Sequence, residues 1–131
     1  MSGERDLRTL LSAMAPERRP GRYVFTTATR LPEAASPVVL IHEPEGITLI
    51  MDQDQADRLG LPYEYVAAMI TLRVHSSLAA VGLTAAVAGT LAGAGISCNV
   101  VAAYFHDHLF VPIDQADLAV HLLRGLAATA T

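Results

Sequence analysis

The chain has 131 residues, of which 52% are hydrophobic, and a formal net charge of −4. This length holds one compact body or two small units sharing a sheet system, because separate cores of about 60 residues each are marginal. Lysine is absent and the arginines are scattered from Arg5 to Arg124, so no basic stripe forms and the pattern argues against a nucleic-acid partner.

In chain order, residues 4–15 predict a short helix with Leu7, Leu10, Leu11 and Met14 on one face, ended by Pro16. Residues 16–21 read as a turn-rich link, and residues 23–28 as a strand rich in β-branched and aromatic side chains. A loop with two prolines follows over 31–37. Residues 38–51 predict a hairpin turning at Glu43-Pro44-Glu45-Gly46, where Gly46 supplies a positive dihedral. Asp52 or Asp54 is expected to cap a helix over 55–59, and residues 63–75 a long strand that closes one unit and opens the next.

After Ser76 and Ser77 the spacing of Leu83, Val87, Leu91 and Ile96 predicts a helix closed by Gly93 and Gly95. Residues 99–104 and 109–111 then read as two strands joined by a turn at Phe105-His106-Asp107-His108, with Asp114-Gln115-Ala116-Asp117 opening a last helix. Residues 74–105 carry no charge, a run long enough to span a bilayer. Its dominance by Ala and Gly, and the break at Gly95-Ile96-Ser97-Cys98-Asn99, lead us to expect no membrane segment. The charged Glu4, Arg5 and Asp6, with no apolar stretch behind them, do not read as a signal peptide.

Leu49-Ile50-Met51 before Asp54-Gln55-Ala56-Asp57 returns as Leu109-Phe110-Val111 before Asp114-Gln115-Ala116-Asp117. Both copies sit where a strand hands over to a helix capped by Asp, which points to duplication and to units over residues 1–62 and 63–131, with the 63–75 strand available to both. Sheet edges left open by such half-complete units invite homo-oligomerisation.

The β-α-β-β-α order, together with HSSLAAVGLTAA, ISCNVVAAYFHDHLFVP and EGITLIM, resembles small bacterial stand-alone proteins built from two ACT-like units. The resemblance implies an α+β, ferredoxin-like tandem repeat, antiparallel sheets with helices packed on one face. It also implies a regulatory, non-enzymatic protein that binds a small effector, an amino acid being the expected one, with no cofactor. The region between strand and helix, His75, Ser76, Ser77, Leu78, Val81, Gly82, Leu83 and Thr84, is where such domains hold the effector. Unpaired N–H groups at a helix start, with nearby hydroxyls, suit a carboxylate. The plainer alternative is that Ser77 or Thr84 merely caps its helix. Asn99 and Asp107 are candidates for the ligand's amine.

His106, Asp107 and His108 are metal-ligating types, but alternate residues of a tight turn diverge and no further ligand lies at ordinary spacing. We therefore expect no metal, with His106 and His108 hydrogen-bonding neighbouring loops or lining the effector pocket. Cys98 is the single cysteine, which excludes an internal disulfide and fits a reducing cytoplasm; no matched base marks it as a nucleophile. The alternative from another class is a ligand-free module that dimerises or docks on an enzyme or transporter. A third is a small metalloenzyme centred on His106 and His108.

Overall fold

The computed structural model describes residues 2–130. Contacts divide the chain into two units, Pro20–Ala68 and Met1–Arg19 together with Met69–Thr131. The larger unit begins with helix α1 (Leu7–Ala13) and strand β1 (Pro16–Arg18). The Asp6 carboxylate caps α1, accepting from the Thr9 N–H at 3.0 Å and the Thr9 hydroxyl at 2.8 Å. The expected turn-rich link after α1 proves to contain a strand: Pro16, Glu17 and Arg18 pair antiparallel with Leu72, Thr71 and Ile70. Proline is tolerated there because it is the first residue of the strand.

The smaller unit holds β2 (Tyr23–Ala28), β3 (Val39–Glu43), β4 (Gly46–Asp52) and α2 (Gln53–Arg58). It also takes in the first residues of β5 (Val66–Leu72). The hairpin and the β2 strand lie where the sequence predicts them. β2 pairs antiparallel with β4 and with the start of β5, β3 pairs antiparallel with β4, and β3 is the outer strand. Asp52 caps α2 by accepting from the Asp54 N–H at 2.9 Å. The helix packs on β2 and β4, and Val24, Leu49, Met51 and Ala56 make the core between them.

The boundary between the compact units, at residues 68 and 69, falls inside β5. The strand is shorter than the 63–75 run expected. The larger unit continues with α3 (Leu83–Gly93), β6 (Asn99–Ala102), β7 (Asp107–Pro112) and, after a 3₁₀ turn at Ile113–Gln115, α4 (Ala116–Thr129). In its antiparallel sheet β7 lies between β5 and β6.

Helices α1, α3 and α4 pack on one another, and α4 also packs on β1 and β7. Leu10, Met14, Val87, Leu91, Leu109, Phe110, Ala119 and Leu123 are fully buried in this unit. Removing each large apolar side chain from water contributes about 1.5–3 kcal/mol. The spacing of Leu83, Val87, Leu91 and Ile96 marks the buried face, as predicted. At the second strand-to-helix handover the expected aspartate cap is missing: α4 starts from Gln115 with no side-chain hydrogen bond, the 3₁₀ turn having taken up Asp114. No helix among the described residues is long and apolar enough to cross a membrane.

Candidate functional site

Beyond β5 the chain is held by the N-terminal segment. The Glu4 N–H donates to the His75 carbonyl, and the Ser77 N–H to the Glu4 carbonyl, both at 2.8 Å. A Cβ on Gly3 would stand 2.6 Å from the Ser77 nitrogen, so only glycine allows this approach. Ser77 is buried; its hydroxyl accepts from the Ala79 N–H at 3.2 Å and its carbonyl from the Ala80 N–H at 2.9 Å. Ser77 thus closes the turn before α3 and does not cap the helix itself.

Helix α3 starts on Gly82, which has φ +104° and offers no side chain to cap with. The first internal bond runs from the Ala86 N–H to the Gly82 carbonyl at 2.9 Å. The N–H groups of Leu83, Thr84 and Ala85 therefore have no acceptor among the described residues, and they carry the positive end of the helix dipole.

A hollow of about 110 Å³ opens at this helix start, lined by Ser76, Ser77, Leu78, Leu83, Thr84 and Asp107. Asp107, the first residue of β7, is only 7% exposed, and no hydrogen bond to its carboxylate occurs among the described residues. Burial pushes its pKa up, with nearby His106 acting in the opposite direction. At about 30 Å³ per water the space takes roughly four waters, which suits the head group of a small ligand. The arrangement offers unspent N–H donors and hydroxyls for an anion, and a buried carboxylate for a cation.

The remaining candidates lie elsewhere. Val81 is 82% exposed and Asn99 is exposed at the start of β6, opposite Phe110; neither lines the hollow. The histidines are also outside it. The His75 ring lies 5.5 Å from Phe105 and 6.5 Å from Tyr104 between centroids, and its Nε2 is buried without a hydrogen-bond partner. His106 Nδ1 lies 3.2 Å from the Val74 carbonyl. His108 Nδ1 lies 2.9 Å from the Thr71 hydroxyl. Burial, then the neighbouring His106, Arg19 and Arg73 charges, lowers the His108 pKa and keeps its ring neutral.

The expected turn at 105–108 is displaced: Asp107 and His108 belong to β7, paired with Ala102 and Val101, and point to opposite faces. Among the described residues no group of three or more His, Cys, Asp or Glu could hold a metal ion. Burial raises the Cys98 pKa, which keeps the thiol protonated and poorly nucleophilic. The sequence missed Ala80 and Ala102, which complete the wall but carry no chemical signal.

The ACT domain family pattern matches twice, over residues 2–68 and residues 64–125. A Vibrio cholerae protein of unknown function, described as a possible transport protein, is 43% identical, with 92% of this chain and 95% of that one covered at a TM-score of 0.83. The ligand-free regulatory subunit of aspartate kinase from Thermus thermophilus is 8% identical, with 88% and 97% covered at a TM-score of 0.65. An Agrobacterium tumefaciens protein is 16% identical, with 86% and 87% covered at a TM-score of 0.67. These last two likenesses are of fold alone. None of the curated proteins matches. ACT domains are typically regulatory modules that bind small molecules, and this chain, with two of them in tandem on a ferredoxin-like scaffold, belongs to the ACT domain family.

Proposed function

We propose that the protein is a non-enzymatic, cytoplasmic regulator whose effector is an amino acid, held by its head group at the start of α3. The observation that carries this reading is the pairing of an uncapped helix start with a buried carboxylate around one hollow. The ligand's carboxylate accepts from the N–H groups of Leu83 and Thr84 and from the Thr84 hydroxyl. Its ammonium pairs with Asp107, which the cation favours in the ionised state that burial disfavours. The small volume confines recognition to the head group and leaves the effector's side chain to project out of the hollow.

Calorimetric titration with each of the twenty amino acids tests the reading. A saturable heat from at least one of them is expected, and it disappears in Asp107→Asn. No heat from any amino acid at millimolar concentration contradicts it.

A second reading, a ligand-free module that pairs with itself or docks on a partner, draws on β3. This outer strand and the residue before it expose Val38 at 49%, Leu40 at 37% and Ile41 at 48%. An unpaired edge with apolar side chains is a template for sheet extension. Sedimentation of the wild type and of Ile41→Lys tests the self-pairing: a dimer that dissociates in the variant supports it, and a wild-type monomer at all concentrations contradicts it.

A further inference from the structure

A second and larger cavity in the same unit shares no lining residue with the hollow. It is a cleft of about 990 Å³ walled by the end of α1, by β1, by Arg73 just after β5 and by one face of α4. Three guanidinium groups line it, Arg18, Arg73 and Arg124, against two carboxylates, Glu17 and Asp117. The cleft is therefore positive on balance in a chain whose net charge is −4. Asp117, His121 and Arg124 are spaced four and three residues apart, which puts them on one side of α4.

Two of these cations are paired with the cleft's carboxylates, but only weakly. Arg18 gives one nitrogen to Asp117 at 3.0 Å, and the Arg73 Nε stands 3.8 Å from the Glu17 carboxylate; both pairs are solvent-exposed. Exposed pairs are weak, and each guanidinium carries five N–H donors in a fork that fits phosphate or carboxylate oxygens. Arg124 has no ion pair or hydrogen bond of its side chain among the described residues.

The wall between α1 and β1 is also strained. Ala15 has φ +42° and is the one non-glycine with positive φ among the described residues. The strain is tied to the cleft, because this turn aims the Met14 carbonyl at the Arg73 N–H, which donates to it at 2.7 Å. Arg73 is thereby anchored beside β1. Backbone strain retained at the rim of a cavity is a common mark of a binding site.

We propose that this cleft binds a small metabolite bearing at least two anionic groups, and does so independently of the hollow at α3. The shared chemistry is clustered phosphate or carboxylate oxygens received by arginine forks. Pyrophosphate and citrate, titrated separately into the full chain by calorimetry at constant ionic strength, distinguish a phosphorylated from a polycarboxylic ligand. At least one of them is expected to bind saturably, tenfold or more weakly in Arg18→Gln and in Arg124→Gln. Arg58→Gln, on α2, and Asp107→Asn are expected to leave that affinity unchanged. No saturable binding of either probe overturns the proposal. So does an equal loss in Arg58→Gln, which would mark a response to overall charge.

Discussion

Helices α1 and α3 belong to the same unit and begin in opposite ways. At α1 the Asp6 carboxylate takes both the N–H and the hydroxyl of Thr9, and those two hydrogen bonds, in that order, lower its pKa. At α3 a left-handed glycine stands where such a cap would be, and of the three open N–H groups those of Leu83 and Thr84 belong to residues lining a hollow that also holds a buried carboxylate. The first arrangement closes a helix end and the second keeps one available. Glycine in place of a capping side chain costs only a few tenths of a kcal/mol, so α3 leaves its first N–H groups open at little expense in stability, at the place where the family resemblance puts the effector.

Without a cap, α3 must be held by its packed face. The largest expected effect is accordingly that of Leu91→Ala, which removes a fully buried side chain from that face and costs about 2–5 kcal/mol, read as a lowered denaturant midpoint. A loss below about 1 kcal/mol would mean that α3 is held by something other than this face. Next in size is Gly82→Ala. A Cβ there meets the Leu7 side chain at 3.1 Å and takes on a left-handed conformation, so about 1–2 kcal/mol is lost. An unchanged melting temperature would show that the glycine is not needed for the helix start.

Asp107→Asn sharpens the comparison in the other direction. Burial raises the folded-state pKa of Asp107, so folding penalises its ionised form relative to the neutral one. The favourable contribution is complete below the ordinary pKa of 3.8 and is lost as pH rises through the folded value. The substitution should therefore raise the melting temperature of the ligand-free protein near neutral pH and leave it unchanged in acid below 3.8. A lowered melting temperature at neutral pH would make the carboxylate a structural group. The smallest effect is expected at the surface, from Asp6→Ala. Its folded pKa is lowered, so the cap stabilises above the ordinary value of 3.8 and fades as pH falls through the depressed one. Melting curves of the variant and wild type should converge in strong acid, and a gap that persists there would point away from the carboxylate.

Much of this contrast was legible in the chain. The β2 strand, the β3–β4 hairpin and the buried stripe of α3 rest on local patterns of two and of three to four residues, and they appear where those patterns put them. β1 was not legible: Pro16-Glu17-Arg18 has the composition of a loop, and it is a strand only because β5 returns beside it more than fifty residues later. His106-Asp107-His108 failed for a similar reason, since pairing with Val101 and Ala102 overrides a turn-like composition. At the hollow, hydroxyls before an apolar helix were enough to single out Ser76, Ser77 and Thr84, which border it. Asn99 could not be excluded by its chemistry, only by its outward position on β6. Arg18, Arg73 and Arg124 looked scattered because the cleft that gathers them is made by tertiary packing.

The most direct measurement follows the backbone amide resonances of Leu83, Thr84 and Ala85 by ¹⁵N-labelled NMR during titration with the amino acid that gives the strongest calorimetric response. Saturable shifts at these three positions, absent in Asp107→Asn, are what an open helix start paired with a buried carboxylate predicts. Saturable binding that moves resonances elsewhere and leaves these three in place would contradict it.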